Sequence, residues 1–261
     1  MIMSYYEQKG ITIYNGDCLE VMKQLKDNSI DMILCDLPYG ITNCKWDSKI
    51  SLNLLWEQYT RIIKNNRAIV LTCSQPFTSE LVMSNIGMFK YEWIWDKGCG
   101  SNFATTKYQP FKEHENILIF SKGKALYNPQ RIPRSEYSLL CHPKGKERFM
   151  KATKPTETNK IKKVTGKLQS DGLRSPKTII SIKLQRGRMK NMFYHPTQKP
   201  ILLFEYFIKT YSNENDLILD NCSGSGTTAV ACKNLNRNCI LIEKDSHYCN
   251  VSVNRISQSL F

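Results

Sequence analysis

Long apolar runs are missing from this sequence: nothing in it approaches the ~20 consecutive residues of a membrane-spanning helix. A leader pattern is missing too, since Met1-Ile2-Met3-Ser4-Tyr5-Tyr6 does not set a basic segment before an apolar one. The ten cysteines are scattered from Cys18 to Cys249, and no two form a Cys-x-x-Cys pair, so the usual zinc-site spacing is absent and no metal is expected. Together these absences predict a cytoplasmic protein with reduced, mostly buried thiols. Acidic residues are scarce in one place only. Between Ser121 and Lys190, 19 Lys and Arg stand against 4 Asp and Glu, an excess of 15, while the other residues carry 18 basic and 19 acidic side chains. Essentially all of the formal net charge of +14 therefore sits in one internal segment. Charge so localised points to a polyanionic partner, most simply nucleic acid, with a basic surface loop as the plain alternative.

What is present is an alternation of short apolar runs with helical spacing. The 261 residues, 41% of them hydrophobic, suffice for one large α/β domain with an insertion. Before residue 122 the pattern predicts strands at 11–14, 31–35, 68–72, 91–95 and 116–120. Helices are expected at 19–25, 52–63 and 76–86, the last opening on a proline. From about 122 to 190 periodicity fades, apart from a strand-like run at 178–182, and a connection this long is usually functional. From 191 the alternation returns: helix 200–211, strand 217–220, helix 229–235, strand 238–243 and helix 247–257. Such alternation predicts a layered, mostly parallel α/β sheet, with 1–121 and 191–261 forming one domain and 122–190 an inserted basic region.

Two motifs carry chemistry. Asp36-Leu37-Pro38-Tyr39 follows the apolar run Ile33-Leu34-Cys35, so a carboxylate, a rigid backbone and an aromatic ring stand at the end of a strand. In open α/β sheets, ligands bind outside the carboxyl ends of strands. A carboxylate beside a stacking ring suits a planar, amino-bearing base, although an ordinary turn has the same composition. The second motif runs from Leu217 to Glu243: a strand, the turn Gly224-Ser225-Gly226-Thr227-Thr228, a helix and a strand ending in an acid. Glycines let backbone approach a ligand, the helix opens with free N–H groups, and an acid about 20 residues on can accept from ribose hydroxyls. This describes a nucleoside-containing cofactor. A third glycine is lacking for the dinucleotide pattern, and no Gly-Lys-Ser/Thr marks a P-loop.

Asp36-Leu37-Pro38-Tyr39 resembles the Asp-Pro-Pro-Tyr motif of amino-group DNA methyltransferases. Asp220-Asn221-Cys222-Ser223-Gly224-Ser225-Gly226-Thr227-Thr228 is similar to their S-adenosylmethionine loop. His195-Pro196-Thr197-Gln198-Lys199-Pro200, Gly16-Asp17-Cys18-Leu19-Glu20 and the block from Glu113 to Lys122 look like further segments of these enzymes. The motif order, with a variable basic segment between catalytic motif and cofactor loop, resembles the β class. Only 123–190 lies outside the likeness. Two departures stand out: Leu37 replaces the first proline, and Asn221-Cys222 stand where Pro-Phe is common, which removes an aromatic contact to cofactor.

The resemblance implies a doubly wound, mostly parallel, Rossmann-like methyltransferase sheet with an inserted basic target-recognition region. It implies S-adenosylmethionine as cofactor and double-stranded DNA as partner, and it allows a homodimer and a cognate restriction endonuclease. Asp36 and the Leu37 carbonyl would accept the two N–H bonds of an exocyclic amine, Pro38 would hold the turn and Tyr39 would stack on the base. Glu243 would bind the cofactor ribose, and Asp17 and Cys18 would lie near its adenine. Asp220, Cys222, Ser223, Gly224, Ser225, Gly226 and Thr227 would line the cofactor loop, with Thr197 and Lys199 meeting the cofactor carboxylate. Asp rather than Ser in the first motif position favours N6 of adenine over N4 of cytosine in this family. The other readings are methylation of RNA or a protein amide, whose enzymes differ in motif and order, and a DNA-binding module with an inactive cofactor site. Trp93 and Trp95 are expected in the core, as is Cys35. His114 and His142 are expected to be structural or exposed, and Asn102 and Phe103 are candidates for capping the base pocket.

Overall fold

The computed structural model describes residues 3–40, 48–141, 147–149, 167–169, 171–184 and 198–258. In chain order the elements are β1 (Tyr6–Gln8), β2 (Ile11–Asn15), α1 (Cys18–Met22), β3 (Ile30–Asp36), α2 (Leu52–Ile62), β4 (Ile63–Cys73), α3 (Phe77–Ser84), β5 (Phe89–Asp96) and β6 (His114–Phe120). There follow β7 (Ile132–Pro133), α4 (Glu136–Cys141), β8 (Glu147–Phe149), β9 (Lys167–Gln169), β10 (Leu173–Arg174) and β11 (Ile179–Ser181). The chain closes with α5 (Ile201–Tyr211), β12 (Leu217–Asp220), α6 (Thr227–Asn234), β13 (Asn238–Glu243) and α7 (Ser246–Gln258).

Two compact units result. Residues 1–128 and 178–261 form the first and 129–177 the second. Residues 122–128 and 178–184 thus pack with the first unit rather than with the basic segment between them. Within the second unit, β7 pairs antiparallel with β10 and β8 with β9. Arg131 forms an ion pair with Asp171, and Arg134 Nε donates to the Leu173 carbonyl at 3.0 Å.

The first unit is built on a nine-stranded sheet of order β1-β2-β13-β12-β3-β4-β6-β5-β11. The run β2-β13-β12-β3-β4 is parallel throughout, and β11 adds parallel to β5. The pairings β1–β2, β4–β6 and β5–β6 are antiparallel. The sheet is buried on both faces, which explains why its strands read as continuous apolar runs. Alternate residues serve two separate cores. Met32, Leu34, Ala68, Val70, Ile218 and Leu241 pack under α5, α6 and α7, while Ile33, Cys35, Ile69, Leu71, Leu219 and Ile242 pack under α1, α2 and α3. Trp93 and Trp95 lie in the first of these cores as expected, their indole N–H groups donating to Tyr211 Oη and to the Ile182 carbonyl.

A parallel run has one consequence for function. The carboxyl ends of β2, β13, β12, β3 and β4 fall on a single edge. That edge carries Gly16–Cys18, Glu243, residues 220–228, Asp36–Tyr39 and Thr72–Ser74, although they lie up to 227 residues apart in sequence.

Candidate active site

Asp36 is the last residue of β3 and keeps part of its side chain exposed. One carboxylate oxygen, Oδ1, accepts from Tyr39 Oη at 2.8 Å and from the Thr72 hydroxyl on β4. The other, Oδ2, accepts from Lys199 Nζ at 2.6 Å. Leu37 is buried in the core under α1–α3, so its side chain serves as an anchor. Tyr39 stacks on Phe77 at 5.6 Å between ring centroids, with Lys199 Nζ 5.7 Å from its own ring centre. Burial, reinforced by the carboxylates of Asp36 and Glu115, pushes the Tyr39 phenol well above its ordinary range. Tyr39 is thus a neutral donor that fixes the carboxylate.

Lys199 is almost fully buried. Burial alone would lower its pKa, but the Asp36 and Glu115 carboxylates outweigh this and hold it above the ordinary lysine value. Glu115 Oε2 lies 3.5 Å from Lys199 Nζ, and Glu115 Oε1 lies 3.2 Å from Lys97 Nζ. Lys97 is also buried and donates to Ser101 Oγ at 3.3 Å. Two acids and two lysines thus form one nearly balanced cluster. The resemblance placed Lys199 toward a cofactor carboxylate; in this structure its partners are the protein's own Asp36 and Glu115. Thr197 lies outside the described residues, as do His142 and His195.

The glycine loop leaves β12 at Asp220. This carboxylate is buried and faces inward: Oδ1 accepts from the Cys222 amide at 3.2 Å and Oδ2 from the Thr228 hydroxyl. Burial pushes its pKa up to about 7 against the lowering effect of these bonds. Asp220 therefore ties the two ends of the loop together. Gly226, at φ +75°, is the N-cap of α6, and its position is crowded: an added Cβ would lie 2.5 Å from Ser252 Oγ. Only glycine lets α7 approach the loop this closely. Ser252 Oγ donates to the Gly224 carbonyl at 3.2 Å. Arg255, buried on α7, donates to the Ser225 carbonyl at 2.5 Å, to Ser225 Oγ at 2.9 Å and to Thr227 Oγ1 at 3.3 Å. Ser225 Oγ in turn donates to Gln198 Oε1 at 3.2 Å. Arg255 was not anticipated from sequence, because no local pattern ties a residue of the last helix to a loop 30 residues earlier.

Glu243 ends β13. Its Oε2 accepts from the Gly224 amide at 2.8 Å and its Oε1 from the Asp245 amide at 2.9 Å, and burial raises its pKa. Asp17 caps α1, accepting from the Leu19 amide at 2.9 Å. The Gly16 amide donates to the Glu243 carbonyl at 3.0 Å, which joins the ends of β2 and β13. Three thiols meet beside the loop: Cys222 packs against the cluster that holds Cys18 and Cys35. The contact with Cys222 lowers the Cys18 thiol, whereas burial pushes Cys35 up to about 11. Cys35 is a core residue as expected, and Cys222 packs partly buried against the same core. Tyr59 Oη donates to Asn221 Oδ1 at 2.5 Å, fixing the other unusual residue of the loop.

Of the remaining candidates, Asn102 binds its own loop through the Pro110 carbonyl and the Lys112 amide, and Phe103 is 82% exposed. His114 is exposed. Among the described residues no cluster of His, Cys, Asp and Glu is arranged to hold a metal ion, and no helix is long and apolar enough to cross a membrane.

Ser223 Oγ is buried yet has no hydrogen-bond partner. Buried hydroxyls are almost always satisfied. An orphan hydroxyl, a left-handed glycine, the N-terminus of α6 and an acid at the end of β13 together fit a polar, nucleoside-bearing ligand.

This arrangement, with an acid-tipped β3 beside a glycine loop on β12, is that of an amino-group DNA methyltransferase. The DNA methylase family of N6 and N4 methyltransferases matches residues 30–254, and the chain belongs to it. It is 30% identical to type II methyltransferase M2.MboI of Moraxella bovis, over 97% of this chain and 91% of that protein. It is 27% identical to type II methyltransferase M.HpaI of Haemophilus parainfluenzae, over 92% and 72% respectively. Among solved structures, the M1.HpyAVI–SAM complex superposes with a TM-score of 0.60 at 26% identity, covering 94% of this chain and 98% of that one. The cytosine-N4-specific PvuII DNA methyltransferase shares the fold, with a TM-score of 0.65 at 15% identity over 96% and 87%.

Proposed function

We propose that this DNA methylase transfers a methyl group from S-adenosylmethionine to the exocyclic N6 of adenine in double-stranded DNA, on a base turned out of the duplex. The observation that carries the reading is the state of Asp36: Tyr39 and Thr72 saturate Oδ1 and Lys199 donates to Oδ2, which fixes a partly exposed carboxylate at the end of β3. An exocyclic amine is a poor nucleophile because its lone pair is delocalised into the ring. Accepting its N–H bonds, at Asp36 and at the Leu37 carbonyl, favours a pyramidal nitrogen with an available lone pair. This is positional and electrostatic catalysis rather than proton abstraction.

S-adenosylmethionine supplies the electrophilic methyl carbon on its sulfonium. Glu243 would hold its ribose, Asp17 and Cys18 its adenine side, and Ser223, Gly224, Ser225 and Thr227 its methionine side. Pro38 keeps the turn rigid, and stacking on Tyr39 offsets part of the few kcal/mol that unstacking a base costs. Gly226 gives α6 its place, while Asp220 and Cys222 support the loop from beneath. The basic segment 122–190 is the region to which we assign target recognition, since phosphate contacts need its charge. Aspartate at the first motif position favours adenine over cytosine N4.

The test is mass spectrometry of nucleosides from DNA treated with enzyme and S-adenosylmethionine. N6-methyladenine is expected; N4-methylcytosine in its place moves the reaction to the other amine, and no methylated base overturns the reading. Asp36→Ala abolishes methyl transfer while preserving the thermal shift caused by the cofactor. Turnover by this variant would refute the role of Asp36.

A further inference from the structure

In this structure the acceptor meant for the substrate amine already carries an ammonium. Asp36 Oδ1 is saturated by two hydroxyls, and Oδ2 holds the Lys199 ammonium at 2.6 Å. An ammonium on the same oxygen draws off its charge and crowds a second donor, so an amine N–H meets Oδ2 at full acceptor strength only if Lys199 releases it. A buried ammonium without an acidic partner is costly, so it leaves one carboxylate only for another. Glu115 supplies that second place. Its Oε2 is buried, makes no hydrogen bond, and lies 3.5 Å from Lys199 Nζ. Its Oε1 is anchored by Lys97, so the carboxylate is held in place with its other oxygen in ion-pair range of Lys199 but without a hydrogen bond. Glu115 stands on β6, next to β4, which carries Thr72. The orphan oxygen and the occupied acceptor are thus two halves of one arrangement.

We propose that Glu115 is a positioning residue that takes the Lys199 ammonium from Asp36 when the base amine enters, so that one cation alternates between two carboxylates. With the base absent, Lys199 guards Asp36; with the base present, Lys199 pairs with Glu115 and Asp36 accepts the amine. The total charge of the cluster is the same in both states, so the exchange is a short movement rather than a change in ionisation. The proposal rests on the reading that Asp36 accepts an amino N–H, and it holds equally for adenine or cytosine.

The experiment compares wild type, Glu115→Gln, Lys199→Met and the double variant in the full-length protein with S-adenosylmethionine and DNA, measuring single-turnover methylation, cofactor affinity and melting temperature. Glu115→Gln removes the second place for the ammonium, so the methylation rate is expected to fall at least tenfold while cofactor affinity stays within twofold. In the Lys199→Met background the same change is expected to cost less than threefold, because no ammonium is left to move. A purely structural Glu115 would instead cost as much with or without Lys199, and that result overturns the proposal, as does a Glu115→Gln enzyme with the wild-type rate. If Glu115→Gln does not fold, Glu115→Asp serves in the same cycle, since it keeps the charge but draws it back from Lys199; equal losses in both backgrounds again overturn the proposal. Failure of the wild type to methylate any base refutes the underlying reading instead, so the two failures are distinct.

Discussion

Replacing Gly226 by Ala tests the tightest part of the cofactor loop, with Gly224→Ala as its internal control. Both glycines have positive φ, +75° and +49°. A non-glycine residue in the left-handed region costs about 1–2 kcal/mol. The two positions differ in their surroundings. Around Gly224 an added Cβ meets nothing within 4 Å. At Gly226 it meets Ser252 Oγ at 2.5 Å, Ser252 Cβ at 2.7 Å and the Ser252 Cα at 3.1 Å. The last of these is backbone, so a change of rotamer cannot relieve it. Overpacking of this kind adds about 1–3 kcal/mol. Gly224→Ala should therefore lose about 1–2 kcal/mol by strain alone, and Gly226→Ala about 2–5 kcal/mol by strain and overlap together. A domain has only about 5–15 kcal/mol to lose. Urea unfolding followed by circular dichroism measures both values, and calorimetric titration with S-adenosylmethionine reads the loop directly. Because α7 must shift to admit the Cβ, Arg255 loses its bonds to Ser225 and Thr227, and cofactor affinity falls more in Gly226→Ala than in Gly224→Ala. Equal destabilisation by the two variants would show that the contact with α7 is not what demands glycine.

Two further predictions concern charge. The Asp220 carboxyl, at about 7, is raised from its ordinary value of 3.8, so the folded state binds its proton more tightly than the unfolded chain. Its stabilising contribution is complete below pH 4 and is lost as pH rises through 7, at about 1.4 kcal/mol per unit of difference. Asp220→Asn should flatten this slope, being less stable than wild type at pH 5 and at least as stable at pH 8; an unchanged slope in urea titrations at the two pH values would contradict the assignment. Replacing Lys162 and Lys163 together by Ala should weaken DNA binding and reduce the slope of log affinity against log salt by about 2 if both contact phosphates. The prediction rests on segment charge, since both lysines lie outside the described residues, and an unchanged slope in fluorescence anisotropy would remove these lysines from the DNA face.

Most of the layered fold is legible in the sequence. Strands such as Ile33–Cys35, Ala68–Thr72 and Leu217–Asp220 are legible because burial on both faces makes them continuously apolar. Helices such as Ile201–Tyr211 are legible because one stripe faces the sheet. Less legible were the hairpin strand Tyr6–Gln8, whose burial is slight, and the extension of β4 back to Ile63 through the polar residues Asn65 and Asn66. The positions of Asp36, Gly226 and Glu243 at strand ends and a turn are also legible, because residue type announces geometry there.

Which partners these residues meet is set by long-range packing. Strand order is a long-range property: β12 lies between β13 and β3, which brings Asp36 beside a loop some 180 residues later, and no local pattern encodes that adjacency. Lys199 between Asp36 and Glu115, Arg255 under the glycine loop and Cys222 against Cys18 and Cys35 all join segments distant in sequence. Local chemistry selects residue types for turns, caps and apolar faces. The pairing of buried charges and hydroxyls is settled by packing, because only the folded sheet determines which polar groups share a water-poor site and must satisfy one another.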